Sequence, residues 1–260
     1  MKKFFVIGNP INHSLSPELH NFWIKKNNIN AVYEKIKLEE SELKNFINKL
    51  RNEQIHGINV TVPFKNKVIK YLDKLSLEVE TTESVNTIYK SGKNIIGHNT
   101  DVAGFELGLR HSKINVLHKS ILILGAGGVV PSIIYSLLSM GCKKIFLSNR
   151  TIIKAENIKK KFDEIEVLKW GEIPDFDMVI NATSVGLKGE GLDINFNVKD
   201  KIFYDVIYNP KETQFLKKAK ERGNKIENGK FMFIYQANQS FSIWNNVIPK
   251  IDEEVLKILE

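Results

Sequence analysis

Residues 120–150, SILILGAGGVVPSIIYSLLSMGCKKIFLSNR, contain the stretch that decides the fold. An apolar run of strand length, Ser120–Leu124, is followed by small residues and then by a longer apolar segment with Pro131 near its start. Because proline is tolerated in the first turn of a helix, this segment is predicted to be helical. A second apolar run closes the stretch. A strand, a turn, a helix and a second strand in this order form a parallel crossover unit, which predicts an α/β fold.

Alternating strands and helices continue on both sides of this unit. Strands are predicted at residues 2–8, 31–38 and 57–62, in a hairpin within 85–99 that turns at Ser91-Gly92, and within 177–186 and 201–210. Helices are predicted at residues 16–28, 40–52, 67–83 and 101–113, and through most of 232–260. A chain of 260 residues can form two modest domains. We predict one domain of residues 1–101 with 236–260, built on a mixed sheet, and a Rossmann-like domain of residues 102–235, built on a parallel sheet.

Composition excludes several classes of protein. The apolar fraction of 42% and the charged fraction of 26% are those of an ordinary globular protein. The net charge is +8, but the lysines are scattered and form no basic run, so nucleic-acid binding is not expected. Cys142 is the only cysteine, which rules out a disulfide within the chain. No apolar run of membrane-spanning length and no signal-peptide core are present, so we expect a cytoplasmic protein without a membrane partner.

The glycine turn after the first strand of the crossover unit predicts a dinucleotide site. Gly125, Ala126, Gly127 and Gly128 allow a tight turn and let backbone N–H groups approach a pyrophosphate at the N-terminus of the next helix. Such a turn alone is a weak signal, and the strand, helix and second strand around it strengthen it. Val130 stands where the glycine fingerprint has its third small residue.

The end of the second strand indicates which dinucleotide binds. A carboxylate there would accept the 2′-hydroxyl of NAD, whereas this chain has Asn149, Arg150 and Thr151, followed by Lys154. Hydrogen-bond donors and positive charge suit a 2′-phosphate, so NADP is predicted over NAD. The alternative is that Arg150 is an ordinary solvated arginine.

Polar side chains cluster at or just beyond the predicted strand ends of the first domain, where α/β sheets usually bind ligands. These residues are Ser14, Ser16, Asn59, Thr61, Lys65, Asn86, Asn99 and Asp101. They suit a ligand rich in hydroxyl groups that also carries a carboxylate. The alternative for some of them is a structural role, such as Ser16 capping a helix begun by Pro17. That alternative does not account for Thr61 or Lys65.

Lys65 and Asp101 are candidates for an acid–base pair, because an ammonium group can protonate a developing alkoxide while a carboxylate orients it. His13 is a weaker candidate for the base. The histidines form no H-E-x-x-H motif and the chain has no G-x-S-x-G motif, so neither a metal site nor a serine nucleophile is predicted.

Nine ordered segments resemble the shikimate dehydrogenase family over nearly the whole chain. They are GNPINHSLSP, NVTVPFK, SVNT, GHNTD, GAGG, SNRT, NATSVG, DVIYNPKET and FMFIYQ. The resemblance implies NADP-dependent, reversible reduction of 3-dehydroshikimate to shikimate in the chorismate pathway of aromatic amino acid biosynthesis. The partner would be this small polyhydroxy carboxylate, with the chain acting as a monomer or homodimer. The first domain would bind substrate and the second NADP.

The resemblance also implies roles for individual residues. Lys65 and Asp101 would form the catalytic pair. Substrate would contact Ser14, Ser16, Asn59, Thr61, Lys65, Asn86, Asp101, Tyr208 and Gln236. NADP would contact Gly125, Ala126, Gly127, Gly128, Val129, Asn149, Arg150, Thr151, Lys154, Asn181, Ala182, Thr183, Ser184, Val206, Gly229 and Phe231.

Two departures from the family pattern lie on the nicotinamide side. Phe231 replaces the usual glycine before the methionine, and Val206 replaces a frequent methionine. Two alternatives stay open from the sequence. One is an NAD-dependent quinate/shikimate dehydrogenase, and the other is a non-catalytic dinucleotide- or metabolite-binding regulator, which would be expected to lose Lys65 or Asp101.

Overall fold

The computed structural model describes residues 1–259, which form two compact units. The first unit comprises Met1–Gly104 and the C-terminal segment that starts at Ile234, and the second comprises Phe105–Phe233. The helices of the described chain are α1 (Ser16–Lys26), α2 (Leu43–Arg51), α3 (Leu77–Thr82), α4 (Thr100–His111), α5 (Val130–Ser139), α6 (Ile152–Lys159), α7 (Gln214–Glu221), α8 (Lys230–Asn245) and α9 (Glu253–Ile258). Within residues 1–259, no helix is both long enough and apolar enough to cross a bilayer.

The first unit is built on a six-stranded mixed sheet with the order β2-β1-β3-β5-β6-β4. Its strands are β1 (Lys2–Gly8), β2 (Ala31–Lys37), β3 (Gly57–Val60), β4 (Lys74–Leu75), β5 (Thr87–Ser91) and β6 (Asn94–His98). β1 pairs in parallel with β2 and β3, whereas β5 pairs antiparallel with both β3 and β6. The mixed sheet and the hairpin at Ser91-Gly92 are therefore as predicted.

The core of the first unit follows from two periodicities. On β3, Ile58 and Val60 are buried together in the cluster that α2 covers. On α2, Leu43, Phe46, Ile47 and Leu50 recur at helical spacing and are all buried. Burial of each such side chain stabilises the fold by about 1.5–3 kcal/mol.

The second unit is built on a six-stranded parallel sheet with the order β12-β11-β10-β7-β8-β9. Its strands are β7 (Ser120–Leu124), β8 (Lys144–Ser148), β9 (Ile165–Leu168), β10 (Met178–Asn181), β11 (Ile202–Asp205) and β12 (Lys225–Asn228). β7 and β10 lie at the centre and are almost entirely apolar and buried, as expected for strands covered on both faces. The predicted parallel sheet is confirmed.

The predicted strand at residues 57–62 is too long. A strand over residues 57–62 would place Val62 on the same face as the buried Val60, but β3 ends at Val60 and Val62 is 56% exposed. The chain turns there, because the N–H of Phe64 donates to the carbonyl oxygen of Thr61 at 2.9 Å. The alternation that buries Val60 therefore does not extend to Val62, and Phe64 returns to the core after the turn.

The predicted helix at residues 67–83 is wrong. This segment forms a 3₁₀ turn at Ile69–Tyr71, then β4, and only then α3. β4 is the edge strand of the sheet and pairs with β6, and the carboxylate of Asp73 accepts a hydrogen bond from the N–H of Ile95 at 2.7 Å. Pairing of β4 with β6 therefore overrides the helical tendency of the local sequence.

Candidate active site

Several chain segments converge at one edge of the first unit's sheet. The carboxyl ends of β1, β3 and β6 lie at this edge, and so does the amino end of β5, because β5 runs antiparallel to β3 and β6. Asn59 is paired with Thr87, and Thr87 with His98. The topology thus explains why polar residues that are far apart in sequence meet here.

Lys65 and Asp101 form an ion pair at this edge. Lys65 lies beyond the turn that follows β3, and Asp101 is in the first turn of α4, where a carboxylate is favoured by the helix dipole. The Nζ of Lys65 donates a hydrogen bond to the Oδ2 of Asp101. Their side chains are only 12% and 8% exposed. Removing one partner of such a pair would leave a poorly solvated charge.

The side-chain amide of Asn86 holds the other oxygen of Asp101. Its Nδ2 donates to Asp101 Oδ1 at 2.9 Å, and its Oδ1 accepts the backbone N–H of Thr100 at 2.7 Å. The N–H of Asp101 itself donates to Asn99 Oδ1 at 3.1 Å. Gln236 contributes its Oε1, which lies 3.4 Å from Asn86 Nδ2. Asp101 is therefore held at both carboxylate oxygens and at its backbone.

Asn59 is buried beneath this pair and bonds to protein atoms at both ends of its amide. Its Oδ1 accepts the hydroxyl of Tyr33 at 2.7 Å, and its Nδ2 donates to the carbonyl oxygen of Asn86 at 2.9 Å. Nδ2 also lies 3.1 Å from Thr87 Oγ1 and 3.0 Å from Ser240 Oγ. These contacts tie β3 to the segment that carries Asn86.

The serines of the loop after β1 have different surroundings. Ser14 is half-buried, and its Oγ accepts the N–H of Ser16 at 3.3 Å. α1 begins at Ser16, so the expectation that Ser16 caps a helix begun by Pro17 is wrong. Ser16 is buried instead, and its hydroxyl bonds to that of Tyr33, whose pKa burial raises well above its usual value. Thr61 is half-buried and His13 is exposed.

In the second unit, the glycine turn combines one glycine that the fold itself requires with two glycines that are exposed. Gly125 has φ of +108°, and a Cβ added there would lie 2.8 Å from the carbonyl oxygen of Ala182. Gly127 and Gly128 are exposed. α5 follows, and its N-cap residue Val129 has no side-chain oxygen with which to cap the helix. Small exposed residues before an N-terminus without a side-chain cap fit a pyrophosphate.

The residues predicted to bind a 2′-phosphate follow β8. Arg150, Thr151 and Lys154 are exposed, while the Nδ2 of Asn149 donates to the carbonyl oxygen of Thr151 at 2.8 Å. Residues 148–154 contain two cations and no carboxylate. This part of the chain therefore suits an anion.

The turn at Asn181–Ser184 is built around the side chain of Asn181. Its Oδ1 accepts the N–H of Thr183 at 3.1 Å, and its Nδ2 donates to the carbonyl oxygen of Val185 at 3.1 Å. Ala182 joins this turn to β7, because its N–H donates to the carbonyl oxygen of Leu124 at 2.8 Å. Asn181 is fully buried and Ser184 is exposed. Asn181 thus shapes the turn that carries the more accessible residues.

The other predicted residues of the second unit, which are three cofactor contacts and the substrate contact Tyr208, are held by ring stacking and by close backbone contact. Phe231 stacks on His111 with ring centroids 3.8 Å apart, and Tyr208 stacks on Phe233 at 4.4 Å. A Cβ added at Gly229 would lie 2.0 Å from the carbonyl oxygen of Val206. Glycine is therefore required at position 229 by the fold itself.

Two family descriptions match this chain. "Shikimate dehydrogenase substrate binding domain" matches residues 6–88, and "Shikimate / quinate 5-dehydrogenase" matches residues 108–187. A curated protein of Pelagibacter ubique (strain HTCC1062), named shikimate dehydrogenase (NADP(+)), is 57% identical over 263 residues that cover 100% of this chain and 99% of that protein.

The chain belongs to the shikimate dehydrogenase family.

Solved structures of shikimate dehydrogenases have the same fold. Shikimate 5-dehydrogenase from Listeria monocytogenes, in complex with shikimate and NAD, has a TM-score of 0.92 and 30% identity, with coverage of 100% of this chain and 96% of that one. The enzyme from Thermus thermophilus, in complex with NADP(H) and shikimate, has a TM-score of 0.90 and 27% identity, with coverage of 100% and 97%. The fold class and the family membership predicted from the sequence are confirmed.

Three residues around the Lys65–Asp101 pair of this shikimate dehydrogenase were not predicted from the sequence. Thr87, Thr100 and Ser240 have buried hydroxyl groups in contact with the amides of Asn59 and Asn86. Thr87 and Thr100 lie inside the segments SVNT and GHNTD, so the sequence did carry a signal for them. Ser240 lies in a helix and has no such signal.

Asp205, at the end of β11, was also missed. Its Oδ2 accepts hydrogen bonds from Thr213 Oγ1 at 2.6 Å and Asn181 Nδ2 at 3.1 Å, and its Oδ1 accepts the N–H of Ile207 at 3.0 Å. Burial raises the pKa of the Asp205 carboxyl from 3.8 to about 6, against the opposing effect of these hydrogen bonds. Asp205 links the Asn181 turn to Thr213, the N-cap of α7.

The raised pKa of Asp205 predicts a pH-dependent stability. The unfolded carboxyl loses its proton at lower pH than the folded one, so the free energy of unfolding should fall as pH rises from about 4 to about 6 and then level off. At about 1.4 kcal/mol per pKa unit, this contribution is on the order of 3 kcal/mol. In Asp205→Asn it should be absent. We expect the difference in unfolding free energy between wild type and Asp205→Asn, measured by urea denaturation from pH 4.5 to 7, to shrink as pH rises.

Asp163→Asn is the matched control, because Asp163 is an exposed carboxylate of the same unit. Its difference from wild type should stay constant over this pH range. A constant difference for Asp205→Asn as well would contradict the raised pKa.

Proposed function

We propose that this protein catalyses the reversible, NADP-dependent reduction of 3-dehydroshikimate to shikimate, a step of the chorismate pathway to aromatic amino acids. The observation that carries the proposal is the buried ion pair of Lys65 and Asp101 at a sheet edge lined with amides and hydroxyls. The named relatives support the substrate and the cofactor. A non-catalytic role has no support, since a pure binding protein has no need of a desolvated acid–base pair.

Lys65 is the proton donor in this proposal. NADPH, when bound, supplies a hydride to the carbonyl carbon of the substrate. The Nζ of Lys65 gives one proton to the carbonyl oxygen, which becomes a hydroxyl group, and Lys65 is left as a neutral amine. Oxidation of shikimate reverses both transfers. Asp101 orients the ammonium through Oδ2, and Asn86 fixes the carboxylate through Oδ1.

The remaining polar residues of the sheet edge bind the hydroxyl groups and the carboxylate of the substrate. We assign direct contact to Ser14, Thr61 and Gln236, and Tyr208 stays a predicted contact. Asn86 is buried and its amide bonds to Asp101 and Thr100, so it acts on the substrate through Asp101. Ser16 and Asn59 are buried and bonded to Tyr33, so they support the site from beneath. Ser16 and Asn59, which the sequence predicts as substrate contacts, therefore have a supporting role in this proposal.

The second unit binds NADP in this proposal. The backbone of Gly125–Val129 and the N-terminus of α5 hold the pyrophosphate. Arg150, Thr151 and Lys154 recognise the 2′-phosphate, and Asn149 shapes the loop that carries them. The nicotinamide side is lined by the turn of Asn181, Ala182, Thr183 and Ser184 and by Val206, Gly229 and Phe231.

The domain roles follow from these assignments. Residues 1–101 with 236–260 form the substrate-binding catalytic domain, and residues 102–235 form the NADP-binding domain. A cytoplasmic location suits a biosynthetic enzyme that uses NADPH. We propose a monomer or a homodimer, which sedimentation equilibrium distinguishes.

Lys65→Ala should lower kcat by a factor on the order of 100 or more with little change in KM, because the proton donor acts in the transition state. The measurement is NADPH formation at 340 nm with shikimate, and with quinate as the competing substrate. Lys67→Ala is the matched control, since Lys67 lies two residues away and pairs with Glu40 on the surface. It should behave as wild type.

A large rise in KM for Lys65→Ala at unaltered kcat would make Lys65 a binding residue. Equal or better kcat/KM of the wild type with quinate would overturn the proposed substrate.

Arg150→Ala should weaken the binding of NADP, which carries the 2′-phosphate, and should leave the binding of NAD unchanged. We expect the ratio of kcat/KM for NADP to that for NAD to fall at least tenfold. Arg110→Ala is the control, because Arg110 is an exposed arginine of the same unit that pairs with Glu106. Since the Listeria relative was crystallised with NAD, the two cofactors must be compared directly. An unchanged ratio would show that Arg150 does not read the 2′-phosphate.

A further inference from the structure

Three buried hydroxyl groups form a cluster beneath the Lys65–Asp101 pair. They belong to Thr87, Thr100 and Ser240, which are 0%, 1% and 0% exposed. Ser240 Oγ lies 2.8 Å from Thr87 Oγ1 and 3.1 Å from Thr100 Oγ1, and the two threonine oxygens are 3.3 Å apart. Burying hydroxyl groups costs free energy unless each of them is hydrogen-bonded. A fully bonded network makes the side chains in contact with it more rigid.

Thr100 contacts both ends of the Asn86 amide. Its backbone N–H donates to Asn86 Oδ1 at 2.7 Å. Its Oγ1 accepts from Asn86 Nδ2 at 2.9 Å and can donate to Asn86 Oδ1 at 3.1 Å. Thr87 adds a second hydroxyl donor to Asn86 Oδ1 at 3.0 Å. The oxygen of the amide is thus surrounded by donors, while an acceptor lies beside its nitrogen.

This arrangement determines which atom of Asn86 faces Asp101. Asn86 Nδ2 has two hydrogens. Thr100 Oγ1 and Asp101 Oδ1 lie at 2.9 Å each and take both, while Gln236 Oε1 is farther away at 3.4 Å. A flipped amide would bring its oxygen against the Asp101 carboxylate and its NH₂ group against the N–H of Thr100. Both contacts are repulsive.

We propose that Thr100 is a positioning residue, whose hydroxyl and backbone N–H together lock the Asn86 amide in the orientation that holds Asp101 for Lys65. This inference rests on the proposed catalytic role of the Lys65–Asp101 pair. Thr100 acts only through Asn86 and Asp101. Loss of its hydroxyl leaves one N–H of Asn86 without its acceptor and removes a donor to Asn86 Oδ1, so the amide is held less firmly against Asp101.

Thr100→Val tests this role, because valine keeps the β-branched shape and the backbone N–H and removes only the hydroxyl. We expect kcat for shikimate to fall about tenfold or more, with the KM for NADP unchanged, and Thr100→Ser to restore it. Ser242→Ala is a control, since the Ser242 hydroxyl bonds to the Asn238 carbonyl of its own helix at 2.8 Å. It should leave kcat unchanged.

A double-mutant cycle separates positioning from general loss of stability. In the Asn86→Ala background, Thr100→Val should have no further effect on kcat, because the amide through which it acts is gone. Multiplicative losses in kcat would overturn the proposal, and so would wild-type kcat in Thr100→Val. If Thr100→Val does not fold, Thr100→Ala removes the same hydroxyl with less bulk and carries the same test.

A measurement on the free protein is independent of enzymatic activity. In the ¹⁵N NMR spectrum, the side-chain NH₂ protons of Asn86 should exchange slowly with water in wild type and in Thr100→Ser, and much faster in Thr100→Val. Unchanged exchange in Thr100→Val would overturn the inference even if the wild type reduces 3-dehydroshikimate. An inactive wild type with the expected exchange pattern would instead overturn the proposed function and leave the role of Thr100 in place.

Discussion

The first unit depends on the groups that replace water around the buried carboxylate of Asp101. Desolvation of a carboxylate costs several kcal/mol unless charge and hydrogen bonds replace the lost water. Asp101 meets this requirement with the ammonium of Lys65 at one oxygen and the amide of Asn86 at the other. Asn86 needs support of its own, and that need organises the sheet edge. Its amide is held by Thr100 and Thr87, its carbonyl oxygen accepts from Asn59, and Asn59 is held by Tyr33.

Asp205 in the second unit is a buried carboxylate with a different set of partners. It is buried like Asp101, but the hydrogen bonds that it accepts come from neutral donors, namely Thr213, Asn181 and the N–H of Ile207. Burial consequently dominates and raises its pKa to about 6. The two carboxylates suit different tasks, since one orients a proton donor while the other joins a turn to a helix N-cap.

Much of the fold and part of the site could be predicted from the sequence, because they depend on residues that are close together in the chain. The glycine turn with its strands, the parallel and mixed sheets and the spacing of α2 all follow from short-range patterns. Residues 67–83 were mispredicted because β4 pairs with a strand, β6, that comes later in the chain. Val62 was mispredicted because alternation alone does not show where a strand turns. Ser240 was missed because it reaches Thr100 across 140 residues of sequence, and no local pattern marks such a contact.

Chemical rescue of Lys65→Ala tests most directly whether the Lys65 ammonium is the proton donor. The truncated side chain leaves room beside Asp101 for a small primary amine, which can replace the missing group. With saturating shikimate and NADP, added methylamine or ethylamine should raise kcat of Lys65→Ala in proportion to amine concentration, while Lys67→Ala should not respond. If no amine restores kcat although Lys65→Ala still binds shikimate as wild type does, proton transfer does not pass through Lys65.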